Sequence, residues 1–336
     1  MPRLLLLAVL STAALAEAQQ SPPSHFQKLA HTYSIVAWDS ATGDLGVAVQ
    51  SKFPNVGGLV PWAKAGVGAV ATQSLANTAY GELGLALMAQ GASAEEALRI
   101  IMRSDSLLGD RQVGIVDARG NAASFTGERT FGWAGGRVGR PDSGSVPGGQ
   151  GSVIVGHGFA AQANIMVSDQ TVINMATEFE RTSGSLADRL MAALSAGQEG
   201  GGDKRGMQSA ALLVVRAGGG YLGATDRLID IRVYDAPNPI AELARLLAIH
   251  KLHFFPSDPA NLIPLTDELV ASLESILLRE PIGQESHWLD KPEGSATPKF
   301  LAALRDFMYW ENYDVRVRMD GKIDRLVLED IRAKRR

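Results

Sequence analysis

His31-Thr32-Tyr33-Ser34-Ile35-Val36-Ala37-Trp38, then Asp39-Ser40-Ala41-Thr42-Gly43-Asp44, then Leu45-Gly46-Val47-Ala48-Val49-Gln50 reads as strand, turn, strand. The first and third segments alternate in a strand-like way, and the middle one supplies turn-forming residues. A β-hairpin therefore opens the ordered chain. Gly66-Val67-Gly68-Ala69-Val70-Ala71 follows as a third apolar run, whose small residues allow another backbone or a ligand to approach closely.

Helical patterning takes over at 80–90 and 93–104, where Ser93 and Glu96 have the spacing of a capping box. Residues 112–117 and 122–126 flank Ala118-Arg119-Gly120-Asn121 as a second hairpin. The glycine-rich stretch 132–158 reads as a long loop without regular structure. Strand pattern returns at 162–167, helices at 169–180 and 186–195, and strands at 209–216 and 228–234. Strands, two helices, strands, two helices, strands is the order of helices packed outside antiparallel sheets, not of alternating βαβ units. The fold class expected is α+β, a four-layer αββα sandwich with two antiparallel sheets.

After Pro237-Asn238-Pro239 the composition shifts to helices at 240–253, 267–279, 298–309 and 323–334, so residues 237–336 are expected to form a small all-α domain. Thr297-Pro298 marks one helix start and Asp320-Gly321 a turn before the last helix.

The 336 residues, 46% hydrophobic, suffice for two packed domains. Arg3, the apolar run from Leu4 and Ala16-Glu17-Ala18 have the pattern of a secretory signal over residues 1–18, giving a mature start at Gln19 and a secreted or periplasmic location. The apolar run is shorter than the ~20 residues that span a bilayer, and no later stretch is long enough, so no membrane span is expected in the mature chain. Residues 19–31, with Pro22-Pro23, read as a flexible leader. With 32 Lys plus Arg against 36 Asp plus Glu, no electrostatic grip on nucleic acid is expected. The absence of cysteine excludes disulfides and thiol nucleophiles. His250 and His253 have ligand-like spacing but lack a helical Glu completing a zinc pattern, and no phosphate-binding or dinucleotide fingerprint occurs. No metal and no cofactor are expected.

The segments 31–37, 42–53, 60–73 and 201–212 together resemble the bacterial family called domain of unknown function 1028, in matching order across nearly all of 32–235. That family resembles the N-terminal-nucleophile (Ntn) hydrolases, which implies the αββα architecture for residues 32–236. Phe307-Met308-Tyr309-Trp310-Glu311-Asn312-Tyr313 and Asp320-Gly321-Lys322-Ile323-Asp324 resemble a helical domain associated with peptidoglycan binding. The stretch around 136–160 is longer than the family pattern.

In Ntn hydrolases a freed first residue attacks an amide carbonyl, its own α-amino group acting as base. Thr32 stands where such a nucleophile must, at the start of the first strand, but a cut between His31 and Thr32 is then required. Ser34 alternates to the same face without a free amine. The resemblance draws attention to Ser51, Lys52, Thr72, Gln73, Asp203 and Arg205: Lys52 as a charge stabiliser or a solvated cation, Asp203 and Arg205 as substrate ligands or as each other's partner. Gln162 and Asn164 alternate to one face of their strand, toward a substrate or in structural hydrogen bonds. Phe307, Tyr309, Trp310 and Tyr313 suit stacking on sugars or a helical core, with Trp310 the binding candidate. The reading that follows is an exported amidohydrolase acting on a small amide or peptide-like substrate, with peptidoglycan as a further partner. The alternative is a non-catalytic envelope-binding protein on the same scaffold. A homo-oligomer is neither required nor excluded.

Overall fold

The computed structural model describes residues 32–139, 145–279, 282–283 and 286–334; the expected signal peptide and leader lie outside them. The chain divides into two compact units between Ile240 and Ala241.

In the first unit, β1 (Thr32–Trp38) and β2 (Leu45–Ser51) form the expected hairpin, paired from Thr32↔Ser51 to Trp38↔Leu45. Asp39 Oδ1 accepts from Ala41 N in its turn, and Gly43 takes φ 75°, a left-handed value open to glycine. Then come β3 (Pro61–Lys64), β4 (Gly68–Ser74), α1 (Ala79–Ala89), α2 (Ala94–Met102), β5 (Arg111–Asp117) and β6 (Asn121–Thr126). Ser93 and Glu96 close the capping box on α2 from both sides. They are followed by β7 (Trp133–Val138), β8 (Val146–Gly149), β9 (Ser152–His157), β10 (Phe159–Met166), α3 (Gln170–Arg181), α4 (Leu186–Glu199), β11 (Ser209–Val215) and β12 (Arg227–Val233).

Two large antiparallel sheets result, ordered β12-β11-β2-β1-β10-β7-β8 and β3-β4-β5-β6-β9. The glycine-rich stretch is thus not an irregular loop: it contributes β7 and β8 to the first sheet and β9 to the edge of the second. Glycine replaces the usual alternation there because neighbours fill the space of a side chain. A Cβ on Gly136 would stand 2.8 Å from the Ala161 carbonyl oxygen, and one on Gly156 2.2 Å from that of Gly139.

Strand alternation sorts the core. Val36, Val47 and Val49 meet Ala69, Ala71 and Val116 between the sheets, while Val70, Val113 and Ile115 point outward to Leu98 and Ile101 of α2. Helices α1 and α2 cover the outer face of the second sheet, and α3 and α4 that of the first.

Helix α5 (Pro239–Phe254) begins two residues before the boundary and runs into the second unit, which also holds β13 (Leu262–Pro264), α6 (Asp267–Leu277), α7 (Pro298–Trp310), β14 (Lys322–Asp324) and α8 (Arg325–Lys334). It is not all-α, because β13 and β14 pair antiparallel through Ile263↔Ile323. Eight α-helices thus stand among the described residues. Val270, Leu273, Phe300, Phe307, Tyr313 and Ile331 form a core of its own. Arg316, 5% exposed, pairs with the buried Asp324 and donates to the Leu252 and Lys251 carbonyls. His253 stacks on Tyr313, with Nδ1 2.8 Å from the Asn312 carbonyl, and His250 stacks on Phe254. No described helix is long and apolar enough to cross a membrane.

Leu98 is fully buried between α2 and the second sheet. Leu98→Ala is expected to lower unfolding stability by about 2–5 kcal/mol through the cavity left behind, read as a lowered urea midpoint at unchanged m-value.

Candidate functional site

Thr32 begins β1, and the ends of several strands meet around it. Pairing sets Thr32 between Ser51 at the end of β2 and Asn164 near the end of β10. On the second sheet, Gln73 near the end of β4 pairs with Gln112 at the start of β5.

The side chains join into one buried network. Thr32 Oγ1 lies 3.0 Å from Ser51 Oγ. Ser34 Oγ donates to Gln73 Oε1 at 2.6 Å and accepts from Gln162 Nε2 at 2.7 Å. Gln73 Nε2 reaches Gln112 Oε1 at 2.7 Å and the Thr32 carbonyl at 3.2 Å. Asn164 Nδ2 donates to Gln112 Oε1 at 2.9 Å and to the Thr32 carbonyl at 3.3 Å. Gln112 Nε2 continues to Thr126 Oγ1 and the Ala163 carbonyl, both at 2.9 Å. Thr32 is 2% exposed, and Ser34, Ser51, Gln112, Gln162 and Asn164 are fully buried.

Three buried atoms of this region, Gln162 Oε1, Asn164 Oδ1 and Ser124 Oγ, have no hydrogen-bond partner among the described residues. Each such atom costs about 1–3 kcal/mol. Backbone strain sits beside them. Ser74 takes φ 65° directly after Gln73, and Ile165 takes φ 60° directly after Asn164, where β10 shifts register against β7. A β-branched residue in the left-handed region is a rare outlier, and strain of about 1–3 kcal/mol persists only where the surroundings enforce it.

Of the residues singled out from sequence, Thr32, Ser34, Ser51, Gln73, Gln162 and Asn164 come together. Thr72 alternates to the other face of β4, where its hydroxyl donates to the Asn77 carbonyl at 3.1 Å. Lys52 Nζ donates to the Met207 carbonyl at 3.1 Å, and no hydrogen bond among the described residues joins it to Thr32. Asp203 Oδ1 accepts from Arg205 N at 2.8 Å, and Arg205 Nη2 stands 3.3 Å from Asp203 Oδ2. Their loop is tied to β10 by a bridge between Met166 and Asp203. Burial, then the Asp203 charge, push the Tyr33 hydroxyl well above the usual phenol range; it donates to the Leu194 carbonyl and Gln198 Oε1. Trp310 belongs to the second unit. It is 62% exposed, its ring 6.1 Å from that of Trp288, whereas Phe307 and Tyr313 are buried. The aromatic cluster therefore splits into core and surface.

Gln112 was not singled out from sequence, yet it links Gln73, Asn164 and Thr126. The available signal was a glutamine opening an apolar strand whose next residue but one is Gly114. A Cβ on Gly114 would stand 2.0 Å from Gln162 Oε1, so the glycine makes room for the neighbouring amide.

The family of unknown function DUF1028 matches residues 32–145 and 143–243, and the chain belongs to it. The crystal structure of protein SPO2555 from Silicibacter pomeroyi, of the same family, is similar at 27% identity and a TM-score of 0.56, over 66% of this chain and 86% of that one. None of the curated proteins is detectably similar.

The β4 and β5 ends are clamped from outside the network. Arg111 Nε donates to Asp105 Oδ2 at 2.9 Å, and Tyr80 Oη donates to the same oxygen at 2.6 Å. Burial alone would raise the Asp105 carboxyl; the bonds from Arg111, Tyr80 and the Leu107 amide outweigh it and hold the group at about 2, against an ordinary 3.8. A depressed folded-state pKa gives stability that is present above about 3.8 and lost as pH falls toward about 2. Asp105→Asn is expected to destabilise the protein at neutral pH and to flatten the fall in melting temperature across that acid window.

Proposed function

We propose that this chain is an exported amidohydrolase of the Ntn type, with Thr32 as nucleophile and a small amide or peptide-like substrate. The observation carrying this reading is Thr32 itself. It stands at the first position of β1, its hydroxyl 3.0 Å from Ser51, where amides from both sheets converge. Helices outside two facing antiparallel sheets fit the αββα architecture of such enzymes.

The chemistry requires a free amine at Thr32. The amine takes the hydroxyl proton as Oγ1 attacks the amide carbonyl, an ester forms, and the proton passes to the leaving nitrogen before water releases the acid. Release of the amine also requires a cut after His31, which follows removal of the signal peptide in the exported chain. The unpaired Asn164 Oδ1, on the residue paired with Thr32, is a ready acceptor for the new ammonium. Lys52, held by Met207, has no assigned step. The second unit, with Trp288 and the exposed Trp310 and Tyr309, is proposed to hold peptidoglycan by stacking on sugar faces.

A non-catalytic scaffold is the second reading, favoured by the 2% exposure of Thr32. An amide-substrate panel separates the two. Wild type is expected to turn over at least one amide and Thr32→Ala to lose at least about 10³-fold in kcat; equal rates in both reject Thr32 as nucleophile.

A further inference from the structure

A second candidate site lies at the opposite end of the sandwich. Strand β1 runs seven residues from Thr32, and at about 3.3 Å per step its far end is ~20 Å away. There Trp38, His157, Phe159, Phe179, Glu180 and Arg189 line an open cleft of about 220 Å³. Drug-sized pockets run roughly 300–1,000 Å³, so this one suits a smaller molecule.

Its floor is apolar. Phe159 and Phe179 are buried, with ring centroids 5.0 Å apart. One wall is Trp38 set edge-on to His157, with centroids at 5.7 Å. Gly120 makes room for this wall: at φ 85°, its Cβ would lie 2.5 Å from both rings. The main chain is pinned beneath by the bond from Trp38 N to the Gly158 carbonyl at 2.9 Å.

Two opposite charges line the same cleft. The Arg189 guanidinium carbon lies 4.1 Å from the Phe179 ring centroid, and Nε and Nη2 share the Phe179 carbonyl at 3.3 Å. That anchor fixes the fork, and among the described residues neither Arg189 nor Glu180 makes an ion pair, Asp39 and Arg137 acting on them only from farther off. Burial lowers the Arg189 pKa from its ordinary value, with Asp39 opposing, and burial raises that of Glu180, with Arg137 opposing. Arg189 is half-buried in the cleft and Glu180 stands exposed at its rim, and the two do not pair with each other. A structural cap on the end of α3 accounts for the Arg189 anchor, and Glu180 lines the same cleft with the opposite charge.

We infer that this cleft binds a small zwitterion of apolar α-amino-acid type, its carboxylate on Arg189, its ammonium on Glu180 and its side chain on Phe159 and Phe179. An Arg–carboxylate contact can be bidentate and is stronger than a neutral one, and the aromatic floor rewards an apolar body. A ligand carrying only one of the two charges leaves the other protein group unpaired. This site is independent of Thr32 chemistry.

Calorimetry on the full mature chain tests it with three probes: L-phenylalanine, 3-phenylpropionate without the amine, and phenethylamine without the carboxylate. L-Phenylalanine is expected to bind one per chain, with each one-charged probe at least about tenfold weaker. Glu180→Gln should remove the preference over 3-phenylpropionate, and Arg189→Gln the preference over phenethylamine. Glu180 is exposed at the rim, so its variant decides the matter if Arg189→Gln does not fold. Absence of binding by all three probes, or a ranking unchanged by Glu180→Gln, overturns the assignment.

Discussion

The interface between the two sheets must satisfy a set of buried amides. Gln73, Gln112, Gln162 and Asn164 lie with buried serines and threonines beside an apolar core, and they are 0–1% exposed. A buried amide without partners costs more than a paired one contributes, so the network stands only if the strands hold one register. A slip of one residue in β4 or β5 would turn Gln73 or Gln112 out of the interface and strand the remaining groups. Register, sheet-to-sheet alignment and the position of Thr32 therefore depend on the same hydrogen bonds.

That network is not fully satisfied, and its defects are localised. Unpaired acceptors on Gln162 and Asn164, with left-handed Ser74 and Ile165 following Gln73 and Asn164, gather at the end of the sandwich where β1 begins. A fold that optimised stability alone would remove them. The Asp105–Arg111 clamp fixes the neighbouring strand ends from outside, so the strain is borne by a rigid frame. The other end of β1 carries a different chemistry, an aromatic floor lined by two opposite charges, so the two ends of β1 are chemically distinct.

Much of the first unit was legible because its signals are local. Alternation in 33–38 and 45–50, the Ser93–Glu96 capping box and helix-period patterns in 80–90, 93–104, 169–180 and 186–195 each report on their own few residues. The glycine-rich strands β7 and β8 were not legible, because their pairing rests on close backbone approach, which leaves no hydrophobic alternation to read; β9 carries the short run Val153-Ile154-Val155, set among glycines on both sides. Short strands β13 and β14 were missed for a related reason, since three residues carry too little pattern. At the candidate site, alternation grouped Thr32 with Ser34 and Gln162 with Asn164. It could not show that Gln112, on the facing sheet, joins them, because contacts between sheets have no sequence period. Thr72 and Lys52 were drawn in by the family resemblance together with Gln73 and Ser51, and the pleat turns Thr72 away.

The proposed free-amine chemistry depends on Thr32 becoming the first residue, and the intact mass of the mature protein tests that most directly. A mass corresponding to a chain that begins at Thr32 is the predicted result. A stable, processed chain beginning at Gln19 would contradict the free-amine mechanism and leave the buried network as a structural device.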